Sequence, residues 1–168
     1  MHLQATIVVG QTNDQVWRFF SNASNLARWD RSVAQVILTS PEPFGVGSTF
    51  DTIAPVPKSH ALKEGLRMSY RVTSYVPNQQ MNMQLTNSSM FKYAEWIMTT
   101  EDISEGVRIT CQLDGTLRFQ YSFLLPILLL TYKGAFRRDL TYLKQAIKRD
   151  AMAQQCSIAH DESRSSSL

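Results

Sequence analysis

The sequence is poor in the residues that build metal sites and covalent frameworks. It holds two cysteines, Cys111 and Cys156, and three histidines, His2, His60 and His160, the histidines scattered along 168 residues. No Cys-x-x-Cys pair and no His-Glu-x-x-His run occurs, which excludes a zinc ribbon, a disulfide-stapled scaffold and a zincin. A Walker loop and a Gly-x-Ser-x-Gly elbow are also missing. Gly45-Val-Gly47 is a Gly-x-Gly, but it precedes a strand instead of opening a helix, and reads as a turn. Charge is scarce: 18% of residues are charged, against about 25% in an average domain. A net charge of +3 is too small to argue for nucleic acid. Long apolar runs are absent too. The longest, Phe123–Leu130, contains Pro126 and is too short to cross about 30 Å of hydrocarbon. No basic segment followed by an apolar one comes after Met1, so no signal peptide is read. A cytoplasmic protein without stable membrane insertion is expected. On that reading the Asn-x-Ser triplets at Asn22 and Asn87 are chance. The terminal Ser-Ser-Leu lacks the basic residue of a peroxisomal address.

What the chain does have is a core. Apolar residues make up 43% of it, and this length buries roughly 70% of the unfolded surface in one domain. Gln4–Val9 reads as a strand. Thr12 with Gln15 forms a capping box ahead of a helix over Asn13–Ser21, whose Val16, Trp17, Phe19 and Phe20 share a face. A second short helix ends near Trp29. Strands follow at Val33–Thr39, Ser48–Ala54, Leu66–Tyr75, about 81–86, Lys92–Glu101 and Val107–Phe119, most with alternating apolar and polar residues. Leu66, Met68, Tyr70 and Val72 share one face, as do Val107, Ile109, Cys111, Leu113 and Leu117. A long helix closes the chain, with Leu125, Leu129, Tyr132, Phe136, Leu140, Leu143 and Ile147 at spacings of three and four. Its basic face also carries Asp139 and Asp150, and reads as solvated instead of as an RNA or membrane surface. Residues 1–152 form the expected domain; 153–168 turn polar and are expected to be a flexible tail.

Strand, two short helices, six strands and one long helix describe an α+β fold. The consecutive antiparallel strands argue against alternating α/β. A curved seven-stranded antiparallel sheet with the long C-terminal helix across its concave face closes a core or leaves an apolar cavity.

The segments "VWRFFSNASNLARWD" (Val16–Asp30), "GVGSTF" (Gly45–Phe50), "YRVTSYVPNQQMNMQL" (Tyr70–Leu85), "EWIMTTEDISEGVRITCQL" (Glu95–Leu113) and "RRDLTYLKQAIKRD" (Arg137–Asp150), in this order, resemble the START-like superfamily. That group is also called Bet v 1-like or SRPBCC, and the likeness is to its polyketide cyclase/dehydrase branch. The resemblance implies a helix-grip fold with a deep apolar cavity. It covers nearly the whole chain but implies no shared catalytic motif, so it bears on fold more than on function.

The candidate residues are those whose polar groups would face such a cavity. Tyr70 and Tyr132 sit on apolar faces and their hydroxyls need partners. Asp51, Glu95 and the loop residue His60 are candidate proton carriers. Trp29, Phe50, Met68, Met83, Trp96, Leu113, Leu129 and Phe136 are the candidate substrate contacts. The register of Lys92–Glu101 is open. A four-residue turn pairs Trp96 with Leu113 and Ala94 with Gly115 and points Trp96 and Ala94 inward, whereas a three-residue turn buries Tyr93, Glu95 and Ile97. The first is preferred. Asp51 is uncertain in the same way beside Phe50. Cys111 reads as a core thiol.

The expected function is cyclisation of a polyketide- or terpenoid-like intermediate, with dehydration or a pericyclic step as variants, using no metal or organic cofactor. A carrier for a hydrophobic metabolite, quinone or lipid is the alternative, and a co-chaperone-like module a weaker third. The expected partner is a hydrophobic small molecule, with no nucleic acid; a homodimer is left open.

Overall fold

The computed structural model describes residues 1–41, 43–56, 65–88 and 90–165. Alternating side chains build one sheet from β1 (His2–Val9), β2 (Gln35–Leu38), β3 (Thr49–Ile53), β4 (Arg67–Val76), β5 (Gln80–Asn87), β6 (Phe91–Ile103) and β7 (Gly106–Leu117). The strand order is β1-β7-β6-β5-β4-β3-β2, and every pairing is antiparallel. Only β1 joins out of sequence, beside β7. Register shifts between Ser69 and Tyr70, between Val72 and Ser74, and between Phe91 and Tyr93 interrupt the long ladders. Such bulges bend a strand and sharpen its twist, and here they curve the sheet toward the helices.

The β6–β7 hairpin sets the register of the inner face. Its turn pairs Ile103 with Gly106, which places Trp96 opposite Leu113 and Ala94 opposite Gly115. Gly106 has φ +125°, and a Cβ there would lie 2.1 Å from the carbonyl oxygen of Val9. Only glycine fits that close approach. Val107, Ile109, Cys111 and Leu113 are buried on the inner face, as their alternation predicts. Leu66, expected to share the apolar face of β4, is 63% exposed, because the strand begins only at Arg67.

Helix α1 (Asn13–Phe20) begins with the predicted capping box: Gln15 N donates to the Thr12 hydroxyl and Thr12 N donates to Gln15 Oε1. It buries Val16, Trp17, Phe19 and Phe20. Trp17 Nε1 donates to Thr100 Oγ1 at 2.7 Å, so the buried indole is satisfied and pins α1 to β6. A 3₁₀ turn, Ala23–Arg28, follows, capped by the Asn22 side chain. A second 3₁₀ turn, Phe119–Leu124, leads into α2 (Leu125–Ser165). Pro126 sits in the first turn of α2, where a missing N–H leaves no bond unmade. Phe136, Leu140, Leu143 and Ile147 of the expected stripe are buried, with Ala146 and Ala151. The helix does not stop at Met152. Its backbone stays helical to Ser165, since Ala, Met, Gln and Glu favour helix even where the composition turns polar.

Two substitutions test this packing. Leu143, fully buried, should cost about 2–5 kcal/mol when truncated to alanine. Thr12→Ala should cost about 1 kcal/mol through loss of the cap. Urea denaturation with an unchanged m-value would check both, and a Leu143→Ala cost below that of Thr12→Ala would contradict the assigned core.

Candidate functional site

The bent sheet, the first 3₁₀ turn and α2 do not meet everywhere. They enclose a cavity of ≈ 80 Å³, whereas one water needs only about 10–15 Å³. Trp29, Phe50, Met68, Met83, Trp96 and Leu113, the candidate contacts, form much of its wall. A smaller hollow of ≈ 30 Å³ shares Leu26, Trp29, Phe50, Met83 and Met98 with it. The two are separated partly by methionines, whose unbranched side chains re-pack easily. Leu129 and Phe136 are not in the wall. Leu129 packs against the core from α2, and the Phe136 ring lies 5.4 Å from that of Trp96 and supports it from behind.

One part of the wall is polar. Tyr70 stacks on Phe50 with ring centroids 5.4 Å apart at 14°. Among the described residues its hydroxyl makes one hydrogen bond of full geometry, to the Met68 sulfur at 4.0 Å, a weak acceptor, with the polar groups of Thr52 and Trp96 close by. Burial pushes the Tyr70 phenol above its ordinary range, and the negative charge of Asp30 and the Tyr132 phenol add to this. The neighbouring polar groups of Thr52 and Trp96 act the other way. Tyr70 is therefore a neutral hydrogen-bond donor at any ordinary pH. Thr52 is 1% exposed, and among the described residues its Oγ1 has no hydrogen-bond partner of proper geometry. Tyr132 reaches the cavity from α2 while 37% exposed. Its phenol is also raised, by burial first and then by Asp30. Asp30, just past the 3₁₀ turn, lines the cavity too. Its Oδ1 accepts from Ser32 N at 2.8 Å and from Ser32 Oγ at 2.6 Å, which fixes the carboxylate.

The other proton carriers lie elsewhere. Alternation along β3 turns Phe50 and Thr52 to the cavity and Asp51 away from it. Arg67 Nε donates to Asp51 at 2.9 Å, and Nη2 donates as well. The Ser69 hydroxyl, then the Arg67 guanidinium, hold the Asp51 carboxyl below its ordinary value against the effect of burial. Glu95 is on the outer face, because the register that turns Trp96 inward turns its neighbour out. It accepts from the Tyr93 hydroxyl at 2.6 Å, from Asn82 Nδ2 at 3.2 Å and from Thr73 Oγ1 at 3.3 Å. His60 lies outside the described residues. Cys111 is fully buried and its thiol is pushed up to about 12 by burial, which makes it an inert core group.

Asp30, Thr52 and Asp139 were not singled out as site residues. Thr52 could have been found by counting two along the strand from Phe50. Asp30 follows Trp29, but in a turn no periodicity predicts its direction. Asp139 lies three residues after Phe136 on the inward side of α2, with Oδ1 buried and unpartnered among the described residues. Burial first, then the charge of Asp30, raises its pKa to about 6, opposed by Arg138 and by the amide and guanidinium of Arg31. Among the described residues no three His, Cys, Asp or Glu side chains are placed to hold a metal ion.

This fold, a bent sheet with one long helix across it, has counterparts. The family described as "Polyketide cyclase / dehydrase and lipid transport" matches residues 1–148. The chain belongs to that family. The di-domain ARO/CYC StfQ of the steffimycin biosynthetic pathway superposes with a TM-score of 0.71 at 11% identity, over 89% of this chain and 51% of that one. Zhui aromatase/cyclase from Streptomyces sp. R1128 gives 0.69 at 12% identity, over 90% and 95%. The Aha1 dimer from Colwellia psychrerythraea gives 0.58 at 14%, over 88% and 96%. At these identities the likeness is one of fold, the helix grip. No curated protein matches the sequence.

The Asp139 shift has a sign that can be measured. Folding favours its protonated form, so its contribution to stability is full below the ordinary value of 3.8 and is lost as the pH rises through about 6. Asp139→Asn should therefore raise the melting temperature at pH 7.5 and change it little near pH 4. Thermal melts across that range check this, and a variant less stable than wild type at pH 7.5 would contradict it.

Proposed function

We propose that the chain folds a flexible, hydrophobic polyketide- or terpenoid-like intermediate into this cavity and closes a ring in it. The observation that carries the reading is the buried Tyr70 hydroxyl, neutral and with only a weak acceptor in the Met68 sulfur, lining the same apolar cavity as the ordered carboxylate of Asp30. A polyketone has many rotors. A wall of Trp29, Phe50, Met83 and Trp96 that admits one folded conformer removes several kcal/mol of entropic barrier before any chemistry. Asp30 then takes a proton from a carbon between two carbonyls, leaving an enolate. Tyr70, with the Thr52 hydroxyl nearby, donates to the oxygen on which that charge collects. Such donors act strongly where water is excluded. The enolate carbon bonds to a second carbonyl carbon, and the resulting alkoxide takes back the proton from Asp30. Loss of hydroxide with an adjacent proton, as water, gives the dehydrated ring. Tyr132, at the exposed side, would bind a polar substituent. The family description and the aromatase/cyclase neighbours support this reading.

A carrier function is the second reading, favoured by the adaptable walls of Met68, Met83 and Met98. The two part in one experiment. Linear poly-β-ketone precursors are mixed with the protein; products are followed by mass spectrometry and NMR, and binding by tryptophan fluorescence. A cyclase should turn over, Asp30→Asn should slow it by about 10²–10⁴-fold and Tyr70→Phe by about 10²-fold, with binding retained in both. Binding without turnover in the wild type would establish the carrier. Wild-type rates in both variants would remove Asp30 and Tyr70 from the chemistry.

A further inference from the structure

The start of the long helix carries an apolar surface that the core does not use. Phe119 is 95% exposed, Phe123 73%, Ile127 60% and Leu130 80%. Ile127 and Leu130, three residues apart, share one face of α2, and Phe119 and Phe123 project from the 3₁₀ turn that leads into it. Isolated exposed apolar residues need no explanation, but a contiguous group with two fully projecting phenylalanines marks an interaction surface. Along this segment of the chain the charge has one sign. Between Asp114 and Asp139 the sequence contains Arg118, Lys133, Arg137 and Arg138 and no acidic residue. Arg118, Arg137 and Arg138 are exposed. Arg137 follows Leu130 by two helical turns and Arg138 follows Ile127 by three, so both lie on the patch side of α2.

We infer that this surface docks on an anionic lipid surface. Apolar aromatics on one side of a short helical segment, edged by arginine, are the composition that settles in the interface of negatively charged lipid. Charge decides between this occupant and a second copy of the chain. A two-fold contact would bring the same arginines of both copies face to face without a carboxylate to separate them. Anionic headgroups complement all of them. The attachment is peripheral, since among the described residues no helix is long and apolar enough to cross a membrane. The docking itself rests on the surface alone and not on the proposed cyclisation.

The test is cosedimentation of the full chain with vesicles of phosphatidylcholine alone and of phosphatidylcholine mixed with phosphatidylglycerol, at low and high salt. Binding should appear on the mixed vesicles, weaken with salt, and fall roughly tenfold on phosphatidylcholine alone. Phe119→Ser with Phe123→Ser should weaken it to a similar extent without shifting the melting temperature, because neither ring supports the core. Arg118→Gln should weaken it less. No sedimentation with the mixed vesicles, or equal sedimentation of the double serine variant, would overturn the inference. A dimer by analytical ultracentrifugation that the double variant abolishes, with no vesicle binding, would overturn it in favour of a second copy.

Discussion

The register of the β6–β7 hairpin is the constraint on which the interior depends. A two-residue connection ending in Gly106 pairs Ile103 with Gly106, and every inward residue of both strands follows from that single choice. Trp96 and Ala94 face the helix, and Glu95 faces solvent among Tyr93, Asn82 and Thr73. A slip of one residue would exchange the two sets and bury a carboxylate against Leu113 and Phe136. The approach of Gly106 to the Val9 carbonyl locks the turn against β1, so the register is held by a contact between distant parts of the chain as well as by the turn.

With that face set, the cavity is the space left by three rigid bodies that cannot close on one another. Phe136, Leu140, Leu143 and Ile147 seat the helix on the sheet, and Trp17 anchors α1 through its bond to Thr100. Further along α2, toward its start, the helix contributes Tyr132 instead of a close-packed aliphatic residue, and Trp29 and Trp96 stand as stiff walls. Dryness gives the few polar groups there their weight. The Tyr70 phenol is held neutral by burial, and burial with the charge of Asp30 raises the Asp139 carboxyl.

The same helix has two chemically different ends. Its middle is the partner of the core. Its start presents phenylalanine, isoleucine and leucine to solvent with arginine around them. The helix buries one stripe against the sheet and leaves Ile127 and Leu130, on the opposite side, in solvent.

Much of the architecture was legible in the residues. Alternation in β4 to β7, the Thr12 and Gln15 cap and the three-four spacing of α2 are local signals, and each element formed near its expected place. The resemblance to the helix-grip family pointed to the same outline. The site was only partly legible. Met68, Tyr70, Met83 and Leu113 were readable because strand alternation states which residues share a face. The phase at Phe50 and Asp51 stayed open, and that one residue of phase separates the cavity from the ion pair with Arg67. Asp30 and Asp139 were missed because a turn and a half-buried helix flank carry no period that says where a carboxylate will point. Local periodicity, then, is what a sequence determines: strands, helices, caps and the apolar side of each. Where Asp30 and Asp139 point, and which apolar residues of α2 stay exposed, follows from how bent sheet and helix pack, since these two carboxylates, one of which acts on the other, lie more than a hundred residues apart in the chain.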